Sequence, residues 1–199
     1  MLKEGIENHA YHKSIELSRS TAWSLITTCP AKVRHEMTQP RESSQALTIG
    51  SAFHTATLEP GKLDDEFAVK PSEIDGQGPR TKHYRESFEV MQNNEPNKSW
   101  LAPSEYDLVM DMAGAALDHP ILKSYLSERD AIIEGTGFFE MEGAQCKVRP
   151  DLYVPSAGVV IDLKSTQDAS ERGFAKSVRQ FGYAFQACWY VQALRLLGE

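Results

Sequence analysis

The sequence predicts an α/β (α+β) fold in which a mainly helical part, residues 1–130, precedes a meander of three short antiparallel strands and a terminal helical stretch, residues 131–199. Three observations predict it. Apolar residues recur at helical spacing through most of the first 130 positions. From Ile132 the pattern shifts to short β-branched and aromatic runs bounded by turn signals. After Ser170 the spacing is helical again up to Leu197.

In chain order, Ser18 or Ser20 caps a helix over residues 22–26, Cys29 and Pro30 end it, and residues 32–37 add a further turn. Residues 38–45 are polar. A compact helix of small residues occupies 51–58 and stops at Glu59, Pro60 and Gly61. Residues 70–80, rich in proline and glycine, read as a mobile loop, and a helix over 81–92 is broken by residues 93–96. Pro103, followed by Leu108, Val109, Met112, Ala116 and Leu117, opens an amphipathic helix that stops before His119 and Pro120, with a short helix at 121–127. Turns at Glu142-Gly143 and at residues 155–158 separate the strands, and Gly182 interrupts the terminal helical stretch.

These turns set a register. A hairpin with Val154 opposite Val159 places Asp151 opposite Asp162, with Lys164 two residues along on the same face. A turn with Met141 opposite Ala144 extends to Glu134 opposite Asp151, so that Glu134, Asp151 and Asp162 form one row across three strands. Pro150 lacks a ladder donor and marks a bulge or an edge, where a one-residue slip would shift the row. Opposed residues on antiparallel strands lie about 4.5–5.5 Å apart, close enough for two carboxylates to share a divalent cation. Without one, the acids would repel and desolvate each other. A hard cation on carboxylate oxygens beside an amine suits phosphodiester hydrolysis, because it polarises the phosphoryl oxygen and acidifies an attacking water. An exposed strand face with a cross-strand ion pair is the alternative, and the apolar flanks argue against it.

The 199 residues, 41% hydrophobic and 25% charged, suit one domain with a sizeable core. No apolar stretch approaches membrane-spanning length and no leader opens the chain, so a cytoplasmic protein is expected. Cys29, Cys146 and Cys188 are widely spaced, which argues against a disulfide framework or a zinc site and for reduced thiols in or near the core. The net charge of −7 disfavours a nonspecific DNA coat protein, but it is uneven. Residues 1–140 carry 14 Lys and Arg against 22 Asp and Glu; residues 141–199 carry 7 against 6. With Asp151 and Asp162 neutralised by metal, the surface around the acid row is effectively basic.

Taken together, residues 11–199 resemble the RecB-like branch of the PD-(D/E)xK nucleases and, within it, the nuclease domain of RecE-type exonuclease VIII. Gly50-Ser51-Ala52-Phe53-His54 resembles the family's G-x-A-x-H helix, followed by Leu58-Glu59-Pro60. Glu134 matches an acid on the first strand, Arg149-Pro150-Asp151 the R-P-D strand, and Asp162-Leu163-Lys164 the D-x-K strand with Ser165 and Thr166 after it. Tyr183, Gln186 and Tyr190 match the terminal helix signature. The resemblance implies a restriction-endonuclease-like core with a central mixed sheet flanked by helices.

It also implies roles. His54, Asp151, Asp162, the carbonyl of Leu163 and, directly or through water, Glu134 would ligate Mg²⁺, with Mn²⁺ as a substitute. Lys164 would orient the attacking water and stabilise charge developing on phosphorus. Gln186 and Tyr190, one helical turn apart, would touch substrate or the groups holding the metal, with Tyr183 on the same face. The implied activity is 5′-to-3′ degradation of linear double-stranded DNA, leaving 3′ single-stranded overhangs for homologous recombination. A ring-like homo-oligomer and a single-strand annealing recombinase are the implied partners. Proteins of this family continue past the terminal helix, so a single nuclease domain shortened at its C-terminus is expected. Fewer than four cysteines argues against an iron–sulfur cluster. A structure-specific or single-strand nuclease with the same core, and a catalytically weak DNA-binding or recombination-partner module, are the alternatives.

Overall fold

A computed structural model describes residues 1–39 and 44–199; the middle of the polar stretch 38–45 lies outside the described residues. In chain order the elements are α1 (Asn8–Lys13), α2 (Arg19–Thr27), α3 (Pro30–Thr38), α4 (Gln45–Leu58), α5 (Leu63–Glu66), β1 (Phe67–Val69), α6 (Lys82–Asn94), β2 (Ser99–Leu101), α7 (Pro103–Leu117) and α8 (Pro120–Leu126). The strands β3 (Ile132–Ile133), β4 (Gly137–Met141), β5 (Ala144–Val148), β6 (Leu152–Val154) and β7 (Val159–Ile161) follow, then α9 (Glu171–Gln180) and α10 (Tyr183–Leu197). Two compact units result, one of Met1–Glu42 with Ser124–Glu199, the other Ser43–Lys123.

In the second unit α4 packs along α7, and β1 pairs with β2 in parallel. Helix α4 starts six residues earlier than its small-residue pattern suggests, because the Ser44 hydroxyl accepts from the Leu47 N–H and caps it there. Thr81 caps α6 in the same way. Strands β1 and β2 are three residues each, too short to leave an alternating pattern.

The first unit holds the antiparallel sheets. β3, β6 and β7 form one three-stranded sheet in that order, with Leu152 opposite Ile161 and Val154 opposite Val159. β4 and β5 form a separate hairpin with Met141 opposite Ala144, closed by Glu142 and Gly143 at φ 51° and 77°. Both are left-handed, as a two-residue turn matched to strand twist requires. The expected meander is therefore interrupted: residues 135–136 leave the ladder, and Thr136 instead exchanges backbone hydrogen bonds with Lys3. The register survives the break, since Ile133 still faces Leu152. Pro150 introduces no slip.

Helix α10 covers the hairpin. Trp189 meets Phe139 edge-on at 5.8 Å and donates its indole N–H to the Lys147 carbonyl at 3.2 Å. Cys146, Val148, Tyr153 and Ala193 fill the same core. Of the three thiols only Cys146 is buried; Cys29 and Cys188 are exposed, which corrects the expectation that all three lie in or near the core. Cys188 lies on the side of α10 turned away from buried Trp189 and Tyr190. Among the described residues no helix is long and apolar enough to cross a membrane.

Gly182 joins α9 to α10 with φ 65°, and a Cβ there would meet the Trp23 ring at 2.7 Å. Arg19 fastens the same turn by donating to the carbonyls of Phe181 and, at 2.7 Å, Gly182. Gly182→Ala is expected to cost about 1–3 kcal/mol from backbone strain and the clash together. Urea denaturation measures it, and an unchanged midpoint would refute the constraint.

Candidate active site

Glu134, Asp151 and Asp162 sit just beyond the ends of β3, β6 and β7, at one end of the three-stranded sheet. The Glu134 N–H donates to the Asp151 carbonyl at 3.0 Å, continuing the β3–β6 register by one residue, so these two acids are neighbours as the turn arithmetic requires. A carboxylate oxygen of each lies within 4.8 Å of the other. Glu134 holds φ 51°, a left-handed conformation that costs a non-glycine residue about 1 kcal/mol or more and concentrates at functional sites. Here it turns the chain out of β3 beneath its own carboxylate.

Asp151 is buried, and its Oδ2 accepts from the Leu163 N–H at 2.6 Å, which pins the loop after β7 against the residue that precedes β6. Burial first, then the nearby charges of Asp162 and Glu134, push its carboxyl well above the ordinary carboxylate range. One further positive charge would relieve that conflict.

Asp162 is held from two directions. Its Oδ1 accepts from Gln186 Nε2 at 2.7 Å and from the Tyr190 hydroxyl at 2.8 Å, while its Oδ2 pairs with the Lys164 ammonium. Gln186 also donates to the Tyr190 oxygen at 2.7 Å. The two residues are four apart on α10, so one helical turn aims both at the same carboxylate oxygen. Burial and the charges of Asp162 and Asp151 raise the Tyr190 phenol well above its ordinary value, which keeps it a proton donor. Lys164 is exposed and sits 5.3 Å over the Tyr183 ring, so its ammonium lies between a carboxylate and an aromatic face. It stands in the loop after β7 and not on a strand face, a correction to the position read from the turn.

Thus Glu134, Asp151, Asp162, Leu163, Lys164, Gln186 and Tyr190 are brought together within the first unit. His54 stands in the second unit, half-buried on α4 and edge-on to Phe53 at 5.7 Å.

A supporting layer escaped sequence reasoning. The Arg149 side chain lies 4.0 Å from Glu134, donates to Thr136 Oγ1 at 2.7 Å and to the Ile6 carbonyl at 2.7 Å, and rests on the Tyr11 ring at 4.3 Å. Lys147, buried, donates to the carbonyls of Tyr11 and Ser14 at 2.7 and 2.8 Å. Burial lowers its ammonium and pushes the Tyr11 phenol up to about 12. Two cations two positions apart, Lys147 on β5 and Arg149 just beyond its end, therefore hold the N-terminal segment beside the acid row. The alternating Lys147 and Arg149 were the only sequence signal.

None of the curated proteins compared with the chain matches it. A family model described as "PDDEXK-like domain of unknown function (DUF3799)" matches residues 19–197, and the proline–aspartate and D-x-K elements in that description stand here as Pro150-Asp151 and Asp162-Leu163-Lys164. The match takes in nearly the whole chain, including the acid row, the lysine and the α10 pair; PDDEXK-like domains are generally metal-dependent nucleases, and the chain belongs to this PDDEXK-like family.

Proposed function

We propose that this protein is a Mg²⁺-dependent exodeoxyribonuclease of the RecE-type exonuclease VIII kind, hydrolysing linear double-stranded DNA from the 5′ end and leaving 3′ single-stranded overhangs for homologous recombination. The observation that carries the chemistry is the row of Glu134, Asp151 and Asp162 beside Lys164. The polarity, the ring-like homo-oligomer and a single-strand annealing recombinase as partner rest on the resemblance to exonuclease VIII, and the cytoplasmic setting on the sequence reading given above.

The donor set fits a hard divalent ion: two neighbouring carboxylates, one of them buried at a cost in charge, with oxygen donors throughout. Asp151 and Asp162 would hold Mg²⁺ or Mn²⁺, joined by Glu134 and the Leu163 carbonyl. Such an ion supplies Lewis-acid polarisation of the phosphoryl oxygen and a more acidic water. The residues do the rest. Gln186 and Tyr190 fix the Asp162 carboxylate through Oδ1, leaving Oδ2 turned toward Lys164. The Leu163 N–H fixes Asp151. Lys164 exchanges its contact with Asp162 for the scissile phosphate, where it orients the attacking water and offsets charge building on the phosphoryl oxygens.

Digestion of linear duplex DNA, labelled at the 5′ or the 3′ end, and of closed circles tests the proposal. Mg²⁺-dependent release of 5′ label with intact circles is expected. Equal digestion in EDTA would overturn the mechanism, cutting of circles would make it an endonuclease, and prior release of 3′ label would reverse the polarity.

Metal binding has a separate readout. A carboxyl with a raised folded value stabilises the metal-free fold fully only below about pH 4, and that contribution is lost as pH rises through the folded value. Mg²⁺ competes with the proton for the same oxygens. It is therefore expected to raise Tm more at about pH 8 than at about pH 5. Equal shifts at both would remove Asp151 from the ligand set.

A further inference from the structure

Tyr183, the ring beneath Lys164, is itself one of three grouped aromatic rings. Phe181 stacks on it at 6.0 Å with 25° between planes, and Phe174 approaches it at 6.3 Å. Phe174 and Phe181 are 52% and 49% exposed, unusual for large apolar side chains and close to the acid row only by way of Tyr183 and Lys164. Helix α9, which carries Phe174, has no buried residue at all. Its packing therefore leaves both phenylalanines half-open to solvent.

The same helix is basic. Arg172, Lys176 and Arg179 recur at helical spacing along one side, against a single acid, Glu171, in a chain whose net charge is −7. All three are exposed, and among the described residues none has an ion-pair partner. The apolar residues Phe174, Val178 and Phe181 recur at the same spacing along another side. The turn that presents Phe181 is not loose: Arg19 holds its carbonyl and that of Gly182, and the left-handed Gly182 starts α10.

We propose that Phe174, Phe181 and Tyr183 form a base-stacking platform that takes unpaired nucleotides of the strand being cut, with Arg172, Lys176 and Arg179 drawing its phosphates to α9. This rests on the nuclease reading above. A nucleotide whose phosphate meets Lys164 carries its base one sugar away, and Tyr183 lies beneath that lysine. Phe174 and Phe181 extend the apolar surface from Tyr183 for the next base. Stacking on aromatic rings accepts any base, because each has a π face, and the exposed cations match a polyanion that the rest of this acidic chain repels. The substrate at the point of cutting is then a locally single strand, frayed from the duplex end.

Fluorescence anisotropy in EDTA, where nothing is cut, tests this with a mixed-sequence single-stranded oligonucleotide and an abasic one of equal length. The full chain is expected to bind the base-bearing strand about tenfold or more tighter, from stacking alone. The Phe174→Ala/Phe181→Ala double variant is expected to lose that preference while still binding the abasic strand. Phe174→Tyr/Phe181→Tyr is expected to keep it, which separates stacking from any disturbance of folding. Replacing Arg172, Lys176 and Arg179 by glutamine is expected to weaken both strands alike and to flatten the salt dependence. An undiminished preference in the alanine variant, no preference in the wild type, or a changed sedimentation coefficient with unchanged DNA binding would each overturn the platform, the last by making it a contact between copies. Mg²⁺-dependent digestion without base preference refutes the platform and leaves the nuclease reading standing. Base preference without digestion does the reverse.

Discussion

Replacing Lys164 with alanine is expected to abolish Mg²⁺-dependent digestion of linear duplex DNA, by about a thousandfold or more, the size of effect seen when a preorganised charge-stabilising donor is removed. The fold is expected to be untouched. Lys164 is exposed, in a loop, and its pairing with Asp162 is a solvent-facing ion pair of the kind worth about 0–1 kcal/mol. Its removal also frees Asp162, so metal binding is expected to persist, with the Mg²⁺-induced rise in Tm retained. Loss of digestion with that rise intact places the lysine in the chemical step. Full digestion by Lys164→Ala would remove it from the mechanism, and a collapse in Tm would make it structural.

Asp162→Asn is expected to have an effect of similar size by a different route. The amide retains an oxygen for Gln186 and Tyr190 but lacks the negative charge that Lys164 and a divalent ion meet. Digestion and the Mg²⁺-induced rise in Tm are both expected to disappear while the metal-free Tm stays or increases, since the charge pressing on Asp151 is gone. Asp162→Ala adds a structural cost. It takes the 2.8 Å acceptor from the buried Tyr190 hydroxyl and leaves it the Arg149 carbonyl at 3.4 Å, a loss of about 1 kcal/mol. A Mg²⁺ response in Asp162→Asn equal to wild type would show that Asp162 is not a ligand.

The acid row was legible because it depends on local rules. Turn residues at Glu142-Gly143 and 155–158 set two hairpin registers, and side-chain alternation carries a register along a strand without knowledge of anything distant. For that reason Glu134 falls beside Asp151 even though the ladder breaks between them. Gln186 and Tyr190 were legible for the same reason, through the helical period.

What could not be read is non-local. Thr136 leaves the meander because Lys3, more than 130 positions away, offers it a backbone partner, and Leu17 likewise bonds to the edge of β5. The parallel pairing of β1 with β2 joins two three-residue segments whose sequences carry no strand period. The Lys164–Asp162 contact and the Arg149 clamp depend on where side chains settle after packing.

The sequence by itself determined the main helices, the two hairpin registers and the identity of the acids, lysine and α10 residues, because turn chemistry and periodicity act over a few residues. Only the tertiary structure decided that Asp151 is buried beside two other acids, that Lys164 rests between Asp162 and Tyr183, and that two half-exposed phenylalanines adjoin them. Burial and charge proximity are properties of packed surfaces, and those surfaces exist only once distant segments have met.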